Sequence, residues 1–260
     1  MKMLEMKGVS VVRSGKKILD SIDLSIEPDE SVAIVGSNGS GKTTLIKLLR
    51  GEIHPYFDEN SHTVMKIFGD ENWNIFDIRN KMGIVSMDLQ SQFSPDTLVS
   101  EVIASGFFGS LDVFRNMEVT SEMVSKVRNA ALMMGIEELL DRTVDGLSMG
   151  EMRRTLIARA LAPGPGTLVM DEPMTGLDVT MMSKFRKMFD LLIGAGVNLI
   201  IVTHDLADIP ESIDRVVMMK GGRIYADGKK EALLTSETMS VLYDEPIKVE
   251  HNEGVYRIYQ

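Results

Sequence analysis

Gly36-Ser37-Asn38-Gly39-Ser40-Gly41-Lys42-Thr43 follows an apolar run, Val32 to Val35, and leads into Lys42 to Arg50, where Leu45, Leu48 and Leu49 recur at helical spacing before Gly51. A glycine, four residues and then Gly-Lys-Thr, set between a strand and a helix, is the pattern of a phosphate-binding loop. Its small residues let backbone N–H groups close around phosphate oxygens, and the helix start adds positive potential. Lys42 supplies a point charge and Thr43 a hydroxyl for magnesium. Gly36, Ser37, Asn38, Gly39, Ser40, Gly41, Lys42, Thr43 and Thr44 are the candidate nucleotide contacts.

Upstream of the loop, short apolar runs (Val9 and Val11; Ile18; Ile22, Leu24 and Ile26) alternate with the turns Ser14-Gly15 and Pro28-Asp29, a strand pattern. Downstream, a polar loop from His54 to His62 precedes two further short strands, Val64 to Phe68 and Gly83 to Ser86. Beyond Met87 helical periodicity takes over in Thr97 to Ala104, Ser121 to Met134 and Ile136 to Leu140, with Gly135 closing the second, so 87–147 reads as a helical insert. Alternation then returns: helix over Ser148 to Leu161, strand over Thr167 to Met170, helix over Ser183 to Ile193, strand over Asn198 to Thr203. Such alternation implies a parallel sheet with helices packed on it. The end of the chain reads as strands at Val216 to Met219, Arg223 to Ala226 and Val255 to Tyr259, with a helix near Ser236 to Tyr243.

The strand Thr167 to Met170 runs into Asp171-Glu172. In open α/β sheets the ligand site lies at the carboxyl ends of the strands, where both acids would sit. Asp171 is then the candidate magnesium ligand, and Glu172 the group that orients or deprotonates an attacking water.

Leu147-Ser148-Met149-Gly150-Glu151, followed by Met152-Arg153-Arg154 and Ala158-Arg159-Ala160-Leu161, resembles the signature motif of the ATP-binding cassette (ABC) family, which otherwise begins Leu-Ser-Gly-Gly. Further motifs follow in that family's order: Thr175-Gly176-Leu177-Asp178 resembles its D-loop, and His204 its switch histidine. Phe76-Asp77-Ile78-Arg79, Gly83-Ile84-Val85-Ser86 and Ser105-Gly106-Phe107-Phe108-Gly109-Ser110 are similar to a single-cassette subgroup associated with molybdate or iron-complex import.

The resemblance implies an α/β fold with a P-loop NTPase (RecA-like) core, an N-terminal antiparallel β subdomain and a helical insert. Residues 1–86 and 148–260 would form the core and β subdomain, and 87–147 the helical subdomain. It implies an ATPase using ATP and magnesium, with Lys42, Glu172 and His204 catalytic. Ser148 and the Gly150 amide would meet a γ-phosphate across a head-to-tail homodimer. Membrane permease subunits would be separate chains, and the protein would lie in the cytoplasm, peripheral to the inner face of the membrane through them.

Beyond Met149, two further positions depart from the family pattern. The aromatic residue that stacks on adenine is replaced by Val12 or Arg13, and Arg13 can stack through its guanidinium plane. Met87 stands where a glutamine contacts magnesium and the attacking water, with Gln90 a possible substitute three residues on. That change keeps open an alternative, a soluble ATP-gated regulatory or assembly ATPase.

Composition narrows the rest. With no cysteine, disulfides, Cys-ligated zinc and thiolate catalysis are excluded. A net charge of −10 offers no general field for phosphate backbones, so no nucleic-acid partner is expected. The most apolar stretch, Leu191 to Val202, is shorter than the roughly 20 residues of a membrane span, and Met1 to Lys17 has no apolar core of a secretion signal. The methionines, 20 in all, fall at amphipathic positions such as Met133, Met134, Met181, Met182 and Met188 and read as core filler.

Overall fold

The run Val32 to Val35 has no polar alternation, the mark of a strand covered on both faces. In the computed structural model, which describes residues 1–57, 62–74, 78, 81–85, 87–110 and 118–259, it forms β3 (Val32–Gly36), buried at every residue. β3 lies inside a sheet with β5 (Met82–Val85), β6 (Thr167–Asp171), β7 (Asn198–Thr203), β8 (Arg215–Lys220) and β9 (Arg223–Lys229), in the order β5-β6-β7-β3-β8-β9. The first five in that order are parallel, and β9 closes the edge antiparallel to β8.

Register is what brings the chemistry together. Val35 lies opposite Thr203, and Asp171 lies opposite Val202. The carboxyl ends of β3, β6 and β7 therefore finish side by side, and the phosphate-binding loop, Asp171-Glu172 and His204 emerge at one edge of the sheet.

β1 (Leu4–Arg13) pairs antiparallel with both β2 (Lys16–Ile26) and β4 (Val64–Ile67), placing Leu4 between Ile26 and Ile67. The apolar residues of this small sheet face α1 (Lys42–Leu49), whose Leu45, Ile46, Leu48 and Leu49 are buried against one side of the large sheet through Ile34, Val169, Ile200, Val202 and Val217. The alternate residues Ala33, Val35, Leu168, Met170 and Ile201 point to the opposite side. There they meet α4 (Met149–Leu161) and α5 (Val179–Gly194), with Leu156, Phe185 and Phe189 at the centre. Each fully buried side chain of this kind contributes about 1.5–3 kcal/mol.

The described part of 87–147 holds a 3-10 segment, Met87–Gln92, then α2 (Val99–Ala104) and α3 (Ser121–Met133), both packed on α4. Of the stretch 76–79 and of Ser86, only Ile78 lies within the described residues, where it is buried.

Several boundaries differ from the sequence reading. The helix expected from Ser183 starts at Val179, because the Asp178 carboxylate caps it by accepting the Met181 N–H at 2.9 Å. The helix expected from Thr97 starts at Val99, where the Glu101 carboxylate reaches back to the Leu98 N–H. Ile136 to Leu140 holds only a 3-10 turn, Glu137–Leu139. The end of the chain adds a short helix, α6 (Lys230–Leu233), before α7 (Ser236–Tyr243), and an unforeseen strand, β10 (Lys248–Asn252), which pairs with β11 (Val255–Tyr259) as a hairpin. Met134 is buried, Met181, Met182 and Met188 pack at the core's edge, and Met133 is exposed. Among the described residues no helix is long and apolar enough to cross a membrane.

Candidate functional site

Two glycines of the phosphate-binding loop, Gly36 and Gly41, sit where a side chain would collide with neighbouring groups. A Cβ on Gly36 would sit 2.4 Å from the Met219 carbonyl oxygen and 2.6 Å from Ser40 Oγ. Gly41 caps α1 at φ +105°, a conformation that L side chains rarely adopt, and its Cβ would meet Leu19 at 2.7 Å. No side chain caps the helix start, and its first turn holds no acidic residue. Its free N–H groups are therefore left for an anion.

Lys42 is almost wholly buried and curls back over the loop, donating from Nζ to the carbonyls of Gly36 (2.6 Å) and Ser37 (3.1 Å). Burial lowers its pKa, an effect opposed by the charges of Glu172 and Asp171, so all three groups share one field. Among the described residues Ser40 Oγ is buried without a hydrogen-bond partner, a further unsatisfied polar group of the loop. Asn38, Gly39 and Thr43 are exposed, and Thr44 is half-buried.

Asp171 ends β6 half-buried, and burial raises its carboxyl pKa; Arg50 and Lys42 oppose the rise, while Glu172 and Asp88 add to it. The next residue, Glu172, stands at φ +46° with its N–H bonded to the Val202 carbonyl at 2.8 Å. A glutamate in that left-handed region stores strain, which here turns its side chain away from the strand and toward β7. One oxygen, Oε2, accepts from Thr175 Oγ1 at 3.1 Å, and the other, Oε1, lies 2.7 Å from His204 Nδ1. With Nδ1 engaged by the carboxylate, Nε2 is the ring nitrogen left for a ligand.

The structure thus unites Lys42, Asp171, Glu172 and His204. Ser148 and Gly150 stand apart at the start of α4: among the described residues neither hydrogen-bonds the 36–43 loop. Ser148 is exposed and caps the helix reciprocally with Glu151, its hydroxyl accepting the Glu151 N–H at 3.3 Å while the Glu151 carboxylate accepts the Ser148 N–H at 2.7 Å. Gly150 is buried where a Cβ would meet Met181 Cε at 2.4 Å. Met149 is 49% exposed, with its sulfur close to Gly176. Arg13 and Val12 are exposed at the end of β1, next to the Ser14-Gly15 turn. Met87 is half-buried against the core, and Gln90 is exposed.

Four groups escaped the sequence reading. Gly222 donates its N–H to the Ser40 carbonyl, and its Cβ would lie 2.4 Å from the Ile18 carbonyl; the Gly221-Gly222 pair was its only signal. Arg153, buried on α4, donates to the carbonyls of Pro173 and Thr175, each at 2.9 Å, and so holds the segment after Glu172. Asp88 sits near enough to Asp171 to raise its pKa. Tyr243 donates its hydroxyl to the His204 carbonyl at 2.8 Å. Nothing local in the sequence marks Asp88 or Tyr243, and Arg153 entered only within the stretch Met152-Arg153-Arg154, without this role.

Residues 19–175 match the family model described as ABC transporter. The "Uncharacterized ABC transporter ATP-binding protein YlmA" of Bacillus subtilis is 31% identical over 96% of this chain and 94% of its own. The "Hemin import ATP-binding protein HmuV" of Hahella chejuensis is 30% identical over 93% of this chain and 92% of its own. Among solved structures, cbiO1 of Clostridium perfringens, described as part of the ABC transporter complex cbiONQ, superposes with a TM-score of 0.77 at 28% identity, covering 92% of each chain. A match over more than half of the chain, on a core that ends its strands in a phosphate loop and an acid–histidine pair, identifies this protein as a member of the ABC transporter family, an ATP-binding ATPase with the P-loop NTPase fold.

Proposed function

We propose that this chain powers a transporter whose membrane subunits are separate chains, hydrolysing magnesium-bound ATP as one half of a head-to-tail homodimer. The observation that carries the proposal is the Glu172–His204 contact at 2.7 Å beside Lys42 and Asp171. Import is the direction favoured by the similarity to the hemin import protein HmuV, and a multi-subunit assembly by the similarity to cbiO1 of the cbiONQ complex.

In this reading Ser40, Lys42 and the 37–43 amides bind the phosphates. Thr43 and Asp171 are oxygen donors of the hard kind magnesium takes, and two protein ligands suffice because that ion is usually completed by water and phosphate. The ion would neutralise charge developing on the phosphates. Glu172 accepts the proton of the attacking water, and Thr175 and His204 hold its two oxygens in place. His204 directs Nε2 toward the departing phosphoryl group. Ser148 and Gly150 serve the partner subunit's nucleotide, which accounts for their separation from their own loop. Residues 87–147 form the helical subdomain, and the protein sits at the cytoplasmic face of the membrane through its partners.

The test is ATP turnover by the purified chain with magnesium, across a range of protein concentrations, beside Lys42→Ala and Glu172→Gln. Turnover that rises more than linearly with concentration, falls at least about a hundredfold in both variants, and leaves Glu172→Gln as an ATP-bound dimer on size-exclusion chromatography supports the proposal. A Glu172→Gln variant that turns over at the wild-type rate, or stays monomeric with ATP, overturns it.

A further inference from the structure

His204 is held from two sides by unrelated parts of the chain. Its ring meets Glu172, and its backbone carbonyl accepts the hydroxyl of Tyr243, the last residue of α7. α7 is itself fastened to the large sheet: Lys220 at the end of β8 donates to the Val241 carbonyl at 2.5 Å and pairs with Asp244 at 2.6 Å. Beyond it, Ser240 Oγ accepts the Ile247 N–H at 2.9 Å, fixing the start of the C-terminal hairpin. β11 of that hairpin packs on the turn Leu206–Asp208 that follows the histidine. Leu206, Ile209, Met239, Leu242, Ile247 and Tyr256 share one buried cluster.

A carbonyl in such a turn fixes the plane of the peptide that follows it. The N–H of that 204–205 peptide is held by Thr203 Oγ1 at 3.0 Å, so the Tyr243 bond to its carbonyl completes a two-point hold; without it the backbone at His204 can shift and carry the imidazole off the Glu172 carboxylate. We propose that Tyr243 is a positioning residue for His204, its hydroxyl locking the 204–205 peptide so that the imidazole stays on Glu172 and the C-terminal segment is tied to the hydrolytic centre. The inference rests on the reading of Glu172 and His204 given above. Burial, with the Asp205 charge adding to it, pushes the Tyr243 hydroxyl up to about 12, so it remains a donor through the neutral range.

Tyr243→Phe in the full chain tests this, since the ring and its packing are retained. The expected result is a kcat about three- to tenfold lower, the effect of one hydrogen bond on a barrier. KM for ATP should stay within about twofold and thermal stability close to wild type. 4-Aminophenylalanine at 243, which keeps a donor at the para position, should restore kcat. The chain has only 4 histidines, so the His204 ring can be assigned in nitrogen-correlated NMR by its loss in His204→Ala. It should shift in Tyr243→Phe while the other ring signals hold.

An unchanged kcat, or a fall in kcat matched by a rise in KM with the His204 signal unmoved, overturns the inference. If the Phe variant fails to fold, 4-aminophenylalanine against 4-methylphenylalanine makes the same comparison with the para position filled. A wild type whose turnover survives Glu172→Gln would overturn the underlying reading of the site, whatever Tyr243→Phe does.

Discussion

Replacing Asp208 with asparagine should stabilise the protein, and by an amount that grows with pH. Asp208 is 2% exposed, in the turn behind His204, with one oxygen accepting the Thr203 hydroxyl at 2.7 Å. Burial pushes its carboxyl up from the ordinary 3.8 to about 6; the Thr203 hydrogen bond and His204 oppose the shift, while Asp205 and Glu172 reinforce it. A carboxyl whose pKa is higher folded than unfolded binds its proton more tightly in the native state. Its contribution to stability is therefore complete below about pH 4 and is lost as pH rises through about 6. The gap between 3.8 and about 6 amounts to about 3 kcal/mol, nearly all of it developed near pH 7.5 and about half near pH 5.

Asparagine keeps an acceptor for Thr203 but no titration. Urea unfolding followed by circular dichroism, at several pH values from about 5 to 8, should show the variant gaining on wild type by about 1.5 kcal/mol across that range. Comparing the two proteins at each pH cancels the surface carboxylates, such as Asp20 and Glu151, whose lowered pKa values act in the opposite sense. A difference that does not change with pH would refute the reasoning. So would a variant less stable near neutrality, which would mean that Asp208 is ionised and paired with the nearby guanidinium groups of Arg153 and Arg186.

Two further substitutions probe the site's framework. Gly36→Ala would force a methyl group against the Met219 carbonyl at 2.4 Å; ATP affinity should fall at least about tenfold and stability by about 1–3 kcal/mol, measured by isothermal titration and by thermal melting. Arg153→Met should leave the carbonyls of Pro173 and Thr175 without their shared donor. A loss of about 1.5–3 kcal/mol in stability is expected, with turnover falling more than ATP affinity; a variant with unaltered kcat would mean that the segment after Glu172 holds its own shape.

The loop 36–43 was legible in the sequence because its pattern is local, a glycine spacing with a buried strand before it and an uncapped helix start after it, although the close approaches at Gly36 and Gly41 come from the distant Met219 and Leu19. Asp171 and Glu172 were legible at one remove, since a strand end in a parallel sheet points to the ligand edge wherever the strand falls in order. Helix starts were harder: the caps at Leu98 and Asp178 depend on a carboxylate reaching back to the backbone, which shifts a boundary without changing the apolar period. The C-terminal hairpin was half missed because β10, Lys248–Asn252, buries none of its residues fully and so carries little hydrophobic signal.

By itself, then, the sequence determined the P-loop core and the kind of chemistry, because the loop and its flanking strand and helix lie within a few residues of one another, and it offered Asp171, Glu172 and His204 as candidates through the order of the motifs. Only the tertiary structure decided how these groups are held. Glu172 is turned onto His204 by a backbone bond to Val202, thirty residues away. Arg153 clamps the following segment from another helix, and Tyr243 holds the histidine from the far end of the chain. Those contacts satisfy buried carbonyls with single long side chains, and a carbonyl has no residue type by which the sequence could announce its partner.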